Sequence, residues 1–351
     1  MKTYGNASPR IGVILGQVGT PQNLERAEVR RYLKEFLSDE RIIDLPRWRW
    51  MPILHGAVLP TRPKMVGHHF GEIWTDEGSP LLVISEAQRA GIQERLGDRF
   101  QVEARHGVQH FRSNRHGVSE PKGWGRGRPV EEAGIRRIVV LLLFPQYLSN
   151  STTASVYDEV MFHALGRGTR RGLPVKKYAP SLRFIHPYFD DPEYIAVLAA
   201  SVARQLAEGP APDRIILSYH GLPKNFVDEG DPYQVHCEET TRLLAEALDW
   251  PAGSFEMAYQ SRFGRTEWIK PYLQPRLGEL HADGVERPAI ISPGFTTDCL
   301  ETLHELGIEG RELFEVGGGD GAGYRTVACL NDEPAWLNYA AALIERNAGG
   351  W

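Results

Sequence analysis

Short apolar runs alternate along the chain with longer stretches in which apolar residues recur at helical spacing. The run at 138–144 reads Ile-Val-Val-Leu-Leu-Leu-Phe, without polar alternation, which is typical of a strand covered on both faces. Because such runs lead into amphipathic helical patterns, the sequence predicts parallel α/β sheets. Strands are predicted at 11–17, 138–144, 213–219, 255–260 and 288–292, and the clearest helices at 23–37, 231–248 and 268–281.

The strands fall into two series, which predict two sheets. A chain of 351 residues is long enough for two domains of ordinary size. The basic, glycine-containing stretch 166–175 is typical of a connector between them. Residues 109–129 are rich in Arg, Gly, His and Ser, and they predict a surface loop. This loop could hold an acidic ligand, but a solvated insertion is the simpler interpretation.

Composition excludes several classes of protein. A formal charge of −5 argues against nucleic acid as the main partner. No window approaches eighteen continuous apolar residues, and the polar start has no signal-peptide character. The three cysteines, Cys237, Cys299 and Cys329, are widely spaced and odd in number, which favours a reducing cytoplasm. They are also too few to ligate an iron–sulfur cluster within one chain, so we expect no such cluster.

His220 ends the predicted strand 213–219, and a row of acids follows at Asp298, Glu301, Glu305 and Glu309. Their spacing of i, i+3, i+7 and i+11 would place all four within roughly 80° of one α-helical face, over about 16 Å. Gly307 could end that helix before the last acid. Like charges so placed repel each other. A neutral imidazole facing carboxylates therefore suggests a path for a divalent metal with a proton acceptor at its end.

Each of these features also has a plainer interpretation. His220 alone could be a hydrogen-bonded histidine in a turn, Asp298 alone could cap a helix N-terminus, and the acidic face could be solvated. However, three predicted strands in the second half of the chain end at polar or turn-forming residues, which are His220, Gln260 and the pair Pro293-Gly294. Ligands gather at the carboxyl ends of strands in open α/β sheets. Together these features therefore favour a functional site.

Several longer motifs make the chain resemble the ferrochelatases, which insert ferrous iron into a porphyrin at the last step of haem synthesis. The resemblance runs nearly end to end, and rare residue orders in the motifs make chance agreement negligible. The motifs are Gly19-Thr20-Pro21, residues 30–39 and 74–81, Pro145-Gln146-Tyr147, Ser151-Thr152-Thr153, and residues 218–223, 260–264 and 298–303.

The resemblance implies an α/β fold with two Rossmann-like, chelatase-type domains, whose parallel sheets are flanked by helices. The first domain would comprise residues 1–170 and 326–351, with the C-terminal helix returning to it. The second, residues 171–325, would carry the histidine and the acidic helix. The resemblance also implies protoporphyrin IX and Fe²⁺ as substrates, with no permanently bound cofactor. We expect a monomer or a weak homodimer.

The resemblance also assigns site residues. His220 matches the family's active-site histidine and Glu301 the glutamate that faces it, so these two are the implied catalytic residues. The implied metal ligands are His220, Glu301, Asp298 and Glu305. The implied porphyrin-binding residues are Val18, Arg62, Ser79, Tyr147, Ser261 and Trp268. The chain departs from the family pattern at Val18, where some relatives carry tyrosine or methionine, and at Cys299, where many have histidine.

The chemistry of metal insertion explains why these residue types would be needed. Two protons leave the porphyrin for each ferrous ion that enters, and histidine is the natural acceptor near neutral pH. Carboxylates give exchangeable oxygen ligands, whereas thiolates would hold the metal too firmly to pass it on. The sequence leaves open whether His220 takes the protons or meets the metal. Our hypothesis is that His220 takes the protons and Glu301 binds the metal.

The segment 46–60 mixes tryptophan, arginine, proline and aliphatic residues. Its periodicity alone favours an ordinary core helix flanked by prolines. The resemblance instead places it at the lip of the porphyrin cleft, and its composition would also suit a shallow contact with a membrane surface. The nearby pair His68 and His69 could form a two-histidine metal site, an interpretation that the pattern supports only weakly.

The sequence thus predicts an enzyme that inserts Fe²⁺ into protoporphyrin IX, giving protohaem and two protons. It would be cytoplasmic, with a peripheral contact at the inner face of the membrane as an open alternative. Coproporphyrin III is the alternative substrate. A haem or porphyrin carrier on the same fold is a rival function, but it would be expected to lack His220 or Glu301. A chelatase for another tetrapyrrole and metal would be expected to use additional histidines.

Overall fold

The computed structural model describes residues 9–106, 134–150, 152–165, 178–264 and 266–351. The predicted loop 109–129 and the predicted connector 166–175 lie outside these residues.

Two four-stranded parallel sheets form the framework, which confirms the predicted α/β fold. The strands are β1 (Ile11–Gln17), β2 (Phe100–His106), β3 (Arg137–Leu142), β4 (Ser181–Phe184), β5 (Arg214–His220), β6 (Phe255–Gln260), β7 (Pro288–Ile291) and β8 (Arg325–Thr326). The strand order is β2-β1-β3-β4 in the first sheet and β6-β5-β7-β8 in the second. Each of the predicted strands is therefore present, within about two residues of its expected bounds.

Helices flank both sheets. They are α1 (Arg26–Leu37), α2 (Arg47–Ile53), α3 (Leu59–Ile73), α4 (Pro80–Leu96), α5 (Thr153–Leu165), α6 (Pro192–Ala207), α7 (Lys224–Asp228), α8 (Tyr233–Ala247), α9 (Leu273–Glu279), α10 (Gly310–Val316) and α11 (Pro334–Asn347). A short π-helical turn, Leu54–Val58, joins α2 to α3. A second π-helix, Glu301–Glu309, leads into α10 and is called the acidic π-helix below.

The helix predicted at 268–281 is shorter than expected. It begins only at Leu273, because Pro271 removes a backbone donor and disfavours helical geometry in the residue before it. Trp268 therefore lies in an extended segment, where it forms an isolated bridge with Pro223.

We predicted that the first stretch of the first domain ends at residue 170. The first sheet extends beyond that residue, because β4, Ser181–Phe184, pairs with β3. Helix α11 packs against α4, α6 and β3. One apolar core contains Leu15 of the first sheet, Leu217 of the second and Trp336 of α11, so the two sheets share buried packing.

Side-chain hydrogen bonds join the segment that follows β3 to the loop after β7 and to helix α8. The Thr296 hydroxyl, in the loop after β7, donates to the carbonyl of Leu143 just after β3, at 2.8 Å. The Gln146 amide donates to the Thr240 hydroxyl at 3.0 Å. Because these bonds are buried, they are expected to fix the walls between which a ligand can bind.

The segment 46–60 is not an ordinary core helix. Trp48 is 72% exposed and Ile53 is 47% exposed, whereas Leu54 is buried against Val29 and Leu33 of α1. Only one face of the segment is therefore packed, and the other presents apolar and basic groups to solvent. None of the helices in the described ranges is long and apolar enough to cross a membrane. The contact of this segment with a membrane surface stays a prediction.

Candidate active site

His220 lies at the carboxyl end of β5, in register with Gln260 at the end of β6, as the convergence of strand ends predicted. Its Nδ1 is 2.7 Å from the carbonyl oxygen of Gly221. A carbonyl can only accept, so Nδ1 carries the hydrogen and donates it. The neutral ring therefore has its lone pair on Nε2, which is the atom available to accept a proton or bind a metal.

Trp268 forms a wall beside His220. Its ring lies 6.4 Å from the imidazole, is 4% exposed, and meets the more exposed ring of Phe263 edge-on at 5.0 Å. The absence of a side chain at Gly221 allows Trp268 to pack close to His220. A Cβ at Gly221 would lie 2.7 Å from the Gln260 carbonyl oxygen and 2.8 Å from Cε3 of Trp268. The absence of a side chain at 221 thus sets how closely the histidine, the tryptophan and β6 pack.

Substitution of Gly221 by alanine is expected to destabilise the protein by about 1–3 kcal/mol, because the new methyl group overpacks a buried backbone contact. Denaturant unfolding measures the effect. Gly56→Ala is a matched control, because an added Cβ there meets no atom within 4 Å. Equal stability of the two variants would contradict this account of the packing.

Glu305 is surrounded by hydrogen-bond donors. The backbone N–H of Ser261 donates to it at 2.6 Å, the Ser261 hydroxyl at 2.5 Å, and the amides of Gln274 and Gln260 at 2.9 and 3.3 Å. Burial raises the pKa of Glu305, and the charge of Glu301 adds to the effect, while the Ser261 hydrogen bond and the charge of His220 oppose it. Glu305 is therefore in electrostatic contact with both His220 and Glu301.

Gln260 ties the end of β6 to the acidic π-helix. Its side-chain oxygen accepts from the Ser218 hydroxyl at 2.6 Å, and its amide donates to the backbone carbonyl of Glu301 at 3.0 Å. Ser261, the next residue, has a φ of +66°, a left-handed conformation that non-glycine residues rarely adopt. This conformation coincides with the two hydrogen bonds from Ser261 to Glu305. Such strain at a ligand-facing turn is often functional.

The Glu301 side chain is close enough to Cys299 and Tyr32, both buried, for its charge to act on them. Burial raises the pKa of the Cys299 thiol, and the neighbouring charge of Glu301 raises it further. Burial likewise raises the pKa of the Tyr32 hydroxyl far above its ordinary value, again with a contribution from Glu301. Both groups are therefore neutral near pH 7, and Cys299 is not a thiolate ligand.

Asp298 is buried just before the helix that carries the other three acids. It precedes the helix, is 6% exposed, and accepts hydrogen bonds from the Thr302 hydroxyl at 2.8 Å and the Asn331 amide at 2.7 Å. The N-cap of the acidic π-helix is Leu300, without a side-chain hydrogen bond, so Asp298 does not cap this helix as its plainer interpretation expected. That it binds a metal stays a prediction.

The row of acids is also not on an α-helix. Residues Glu301–Glu309 form a π-helix, with i→i+5 hydrogen bonds and more residues per turn than an α-helix. The three glutamates recur every four residues, so they follow one another along this helix. Gly307 does not end the helix, which continues into α10. Among the residues described, the predicted set His220, Asp298, Glu301 and Glu305 does not form a compact group of metal-binding atoms.

The predicted porphyrin-binding residues are distributed unevenly. Val18 follows β1 and packs against a buried cluster that includes Cys299, while Arg62 is exposed on α3. Ser79 is 1% exposed, and its hydroxyl is hydrogen-bonded to that of Thr20 at 2.9 Å. Tyr147 is half-buried, in the segment after β3. Only Ser261 and Trp268 of this set are placed by hydrogen bonds or ring contacts around His220 and Glu305.

Reasoning from single residues did not assign Tyr32 or Gln274 to the site, whereas Gln260 had been marked as a strand end beside His220. Tyr32 lies in one of the motifs that carry the family resemblance, which was the signal that could have identified it. Gln274 carried no sequence signal, because its contact with Glu305 depends on how α9 packs against the acidic π-helix.

Comparison with known proteins places the chain among ferrochelatases. The ferrochelatase family model matches residues 10–348. A ferrochelatase of Photobacterium profundum is 38% identical over 97% of this chain and 98% of its own length. One of Mesorhizobium japonicum is 41% identical over 97% of this chain and 92% of its own length. Among solved structures, SirB from Bacillus subtilis with Fe³⁺ aligns with a TM-score of 0.49 and 15% identity, over 76% of this chain and 89% of that chain.

Proposed function

The chain belongs to the ferrochelatase family, and from that premise we propose that it inserts Fe²⁺ into protoporphyrin IX, with His220 as the proton acceptor and Glu301 as the metal ligand. The observation that carries the division of roles is the fixed tautomer of His220. Its Nδ1–H is held by the Gly221 carbonyl, which leaves Nε2 free at the site.

A neutral imidazole with a free Nε2 can accept a proton from a porphyrin nitrogen. Each insertion breaks two N–H bonds, forms four Fe–N bonds and releases two protons, so the acceptor must pass protons on before it can act again. Glu305 lies in electrostatic contact with His220 and is held by four donors. Burial raises its pKa, so exchange of one of these donors would let Glu305 take up a proton from His220 and pass it out of the site.

Glu301 is better suited than Glu305 to meet the ferrous ion. The oxygens of Glu305 are occupied by four donors, whereas the neighbours of the Glu301 carboxylate are the weak donor Cys299, whose thiol is hydrogen-bonded to it, and the neutral Tyr32. A hard oxygen ligand in such a position can bind Fe²⁺ and release it to the porphyrin nitrogens. The backbone bond from Gln260 fixes the start of the helix that carries this side chain.

Trp268 and the half-exposed Phe263 offer aromatic surface next to His220, which suits a flat macrocycle. The lip at α2 adds Trp48 and Ile53, which are exposed, together with the arginines Arg47 and Arg49. Protoporphyrin IX carries two propionates and two vinyl groups, whereas coproporphyrin III carries four propionates. The apolar side chains of Trp48 and Ile53 suit the two vinyl groups of protoporphyrin IX, whereas the two further propionates of coproporphyrin III would have to be placed against apolar surface, which is costly.

Steady-state insertion rates with the two porphyrins under anaerobic conditions test the substrate. We expect kcat/KM for protoporphyrin IX to exceed that for coproporphyrin III by at least about tenfold, since a pocket that rejects additional charged groups can discriminate strongly. A preference for coproporphyrin III would replace the substrate in this proposal but keep the reaction. Tight binding of either porphyrin without insertion would instead support the carrier interpretation.

A further inference from the structure

The side chain of His236, on α8, accepts a backbone hydrogen bond from the segment that follows β3. The Tyr147 N–H donates to Nδ1 of His236 at 3.1 Å. A backbone N–H can only donate, so Nδ1 carries the lone pair and the neutral ring has its hydrogen on Nε2. His236 therefore has the opposite tautomer to His220, whose Nδ1 donates to the Gly221 carbonyl.

Phe189 fixes the plane of this imidazole. The rings of Phe189 and His236 stack at 3.8 Å, with an interplanar angle of 11°. The stack keeps the imidazole in the plane in which its Nδ1 lone pair meets the Tyr147 N–H. Because His236 is half-buried, it acts here as a positioned acceptor rather than as a solvated surface side chain.

The segment after β3 forms a second backbone hydrogen bond with the start of α8. The Ser149 N–H donates to the buried carboxylate of Asp231 at 2.7 Å. Asp231 also accepts from the Tyr233 N–H at 2.8 Å, in the first turn of α8. Residues 147–149 are therefore positioned by an imidazole and a carboxylate from the second half of the chain. Of these two side-chain types, the imidazole has the ordinary pKa nearer to neutral pH.

The segment after β3 also contacts the loop that leads to Glu301. The ring of Phe144 meets that of Phe295 edge-on at 6.1 Å. Both rings belong to a buried cluster that includes Cys299, whose thiol is hydrogen-bonded to Glu301. Because buried side chains are close-packed, a shift of the segment after β3 would also displace the loop before the acidic π-helix.

We propose that His236 is a positioning residue for the insertion reaction. In its neutral form it holds the segment after β3 against α8, and its protonation releases that segment. Both nitrogens of an imidazolium carry hydrogens, so Nδ1–H and the Tyr147 N–H would be two donors facing each other. Release would displace the loop before Glu301 and lower the efficiency with which Fe²⁺ is used. This role rests on the proposed function, whereas the hydrogen bond itself does not.

Ionisable groups lie around His236 on two neighbouring segments and on α8 itself. They are Asp190 and His186 in the segment after β4, Asp231 in the turn before α8, and Glu239 on the next turn of α8. Residues 145–150 carry no charged side chain. Burial lowers the pKa of His236 and the charge of His186 adds to this effect, while the charges of Asp190 and Asp231 oppose it.

The lowered pKa of His236 determines the direction of the pH dependence. It means that the folded protein favours the neutral ring. The stabilising contribution of the ring is therefore complete above the ordinary histidine pKa of about 6.5, and it is lost as the pH falls below that value through the lowered pKa of the folded state.

Hydrogen exchange at the Tyr147 amide, followed by mass spectrometry at single-residue resolution, tests the bond. After correction for the intrinsic effect of pH, protection in the unmodified protein should fall at least about tenfold between about pH 8 and about pH 5, because one hydrogen bond is lost. His236→Asn places a carbonyl oxygen near the position of Nδ1, and this oxygen accepts at either pH. Protection should therefore stay constant in His236→Asn and be absent at both pH values in His236→Ala.

Insertion kinetics test the positioning role. We expect kcat/KM for Fe²⁺ to be equal in His236→Asn and the unmodified protein near about pH 8, and at least about threefold higher in His236→Asn near about pH 5, because small displacements of a site can lower its efficiency up to about 100-fold. Effects of pH on His220 and on the substrates are common to both proteins and cancel in the ratio. His186→Ala is the matched control, because it removes an exposed neighbouring histidine and leaves the Tyr147 bond in place.

Two results would overturn the proposal: Tyr147 protection at the higher pH that is equal in His236→Ala and His186→Ala, or a kinetic pH dependence that is the same in His236→Asn as in the unmodified protein. Equal unfolding midpoints of His236→Asn and the unmodified protein at the higher pH exclude a general change in stability as the cause. Absence of insertion in the unmodified protein would count against the proposed function alone, and the exchange measurement would still decide the bond.

Discussion

Substitution of His220 by alanine is expected to lower kcat for Fe²⁺ insertion by about 10²–10⁴-fold, the range that a positioned general base usually contributes. The free Nε2 of His220 is the atom that the account assigns to accept pyrrole protons, and its orientation comes from the Gly221 carbonyl. Alanine removes the acceptor without burying a charge. We therefore expect porphyrin affinity and the KM for Fe²⁺ to change little.

Anaerobic kinetics with separate variation of porphyrin and Fe²⁺ give these constants. His281→Ala is a suitable control, because His281 is exposed at the far end of α9. A raised KM for Fe²⁺ with a nearly normal kcat would transfer the metal-binding role to His220. Full insertion activity in His220→Ala would contradict the assignment of the base altogether.

Substitution of Glu301 by glutamine is expected to affect the use of Fe²⁺, whereas substitution of His220 affects the removal of protons. Loss of a metal ligand is expected to lower kcat/KM for Fe²⁺ by at least about 100-fold, since even partners that only orient a ligand contribute 10–100-fold. Gln260 donates to the backbone carbonyl of Glu301 rather than to its side chain, so the helix start should persist in the variant. Porphyrin binding should also persist.

The measurement is the dependence of the insertion rate on Fe²⁺ concentration, beside porphyrin binding followed by fluorescence. Glu312→Gln serves as the control, because Glu312 is exposed on α10 and the substitution removes the same charge. If Glu301→Gln and Glu312→Gln lose activity equally, the effect is one of overall charge and the role of Glu301 as a ligand is wrong.

The framework of the fold could be predicted because it depends on local patterns. Uninterrupted apolar runs mark buried parallel strands, and the run that ends at His220 placed this residue correctly at a sheet edge opposite Gln260. The prediction of a helix around Trp268 was wrong, because the apolar spacing was given more weight than Pro271, which is the stronger signal of a helix boundary.

The fine geometry of the site could not be predicted in the same way. The hydrogen bonds of an α-helix and a π-helix differ by one residue step, i→i+4 against i→i+5, and the residue pattern of the short segment 301–309 did not distinguish the two. The hydrogen bonding of Asp298 depends on Asn331, and the stacking of His304 on His69 depends on the packing of α3. Such contacts join residues far apart in sequence, and a single sequence does not encode them in any local pattern.

The most direct test of the central claim is a stoichiometric one. Purified protein is mixed anaerobically with Fe²⁺ and protoporphyrin IX in weak buffer, while haem absorbance and a pH indicator are recorded together. The account predicts haem formation with two protons released for each iron inserted, and loss of both signals in His220→Ala and in Glu301→Gln. A porphyrin that binds tightly while neither haem nor protons appear would contradict it and would indicate a carrier.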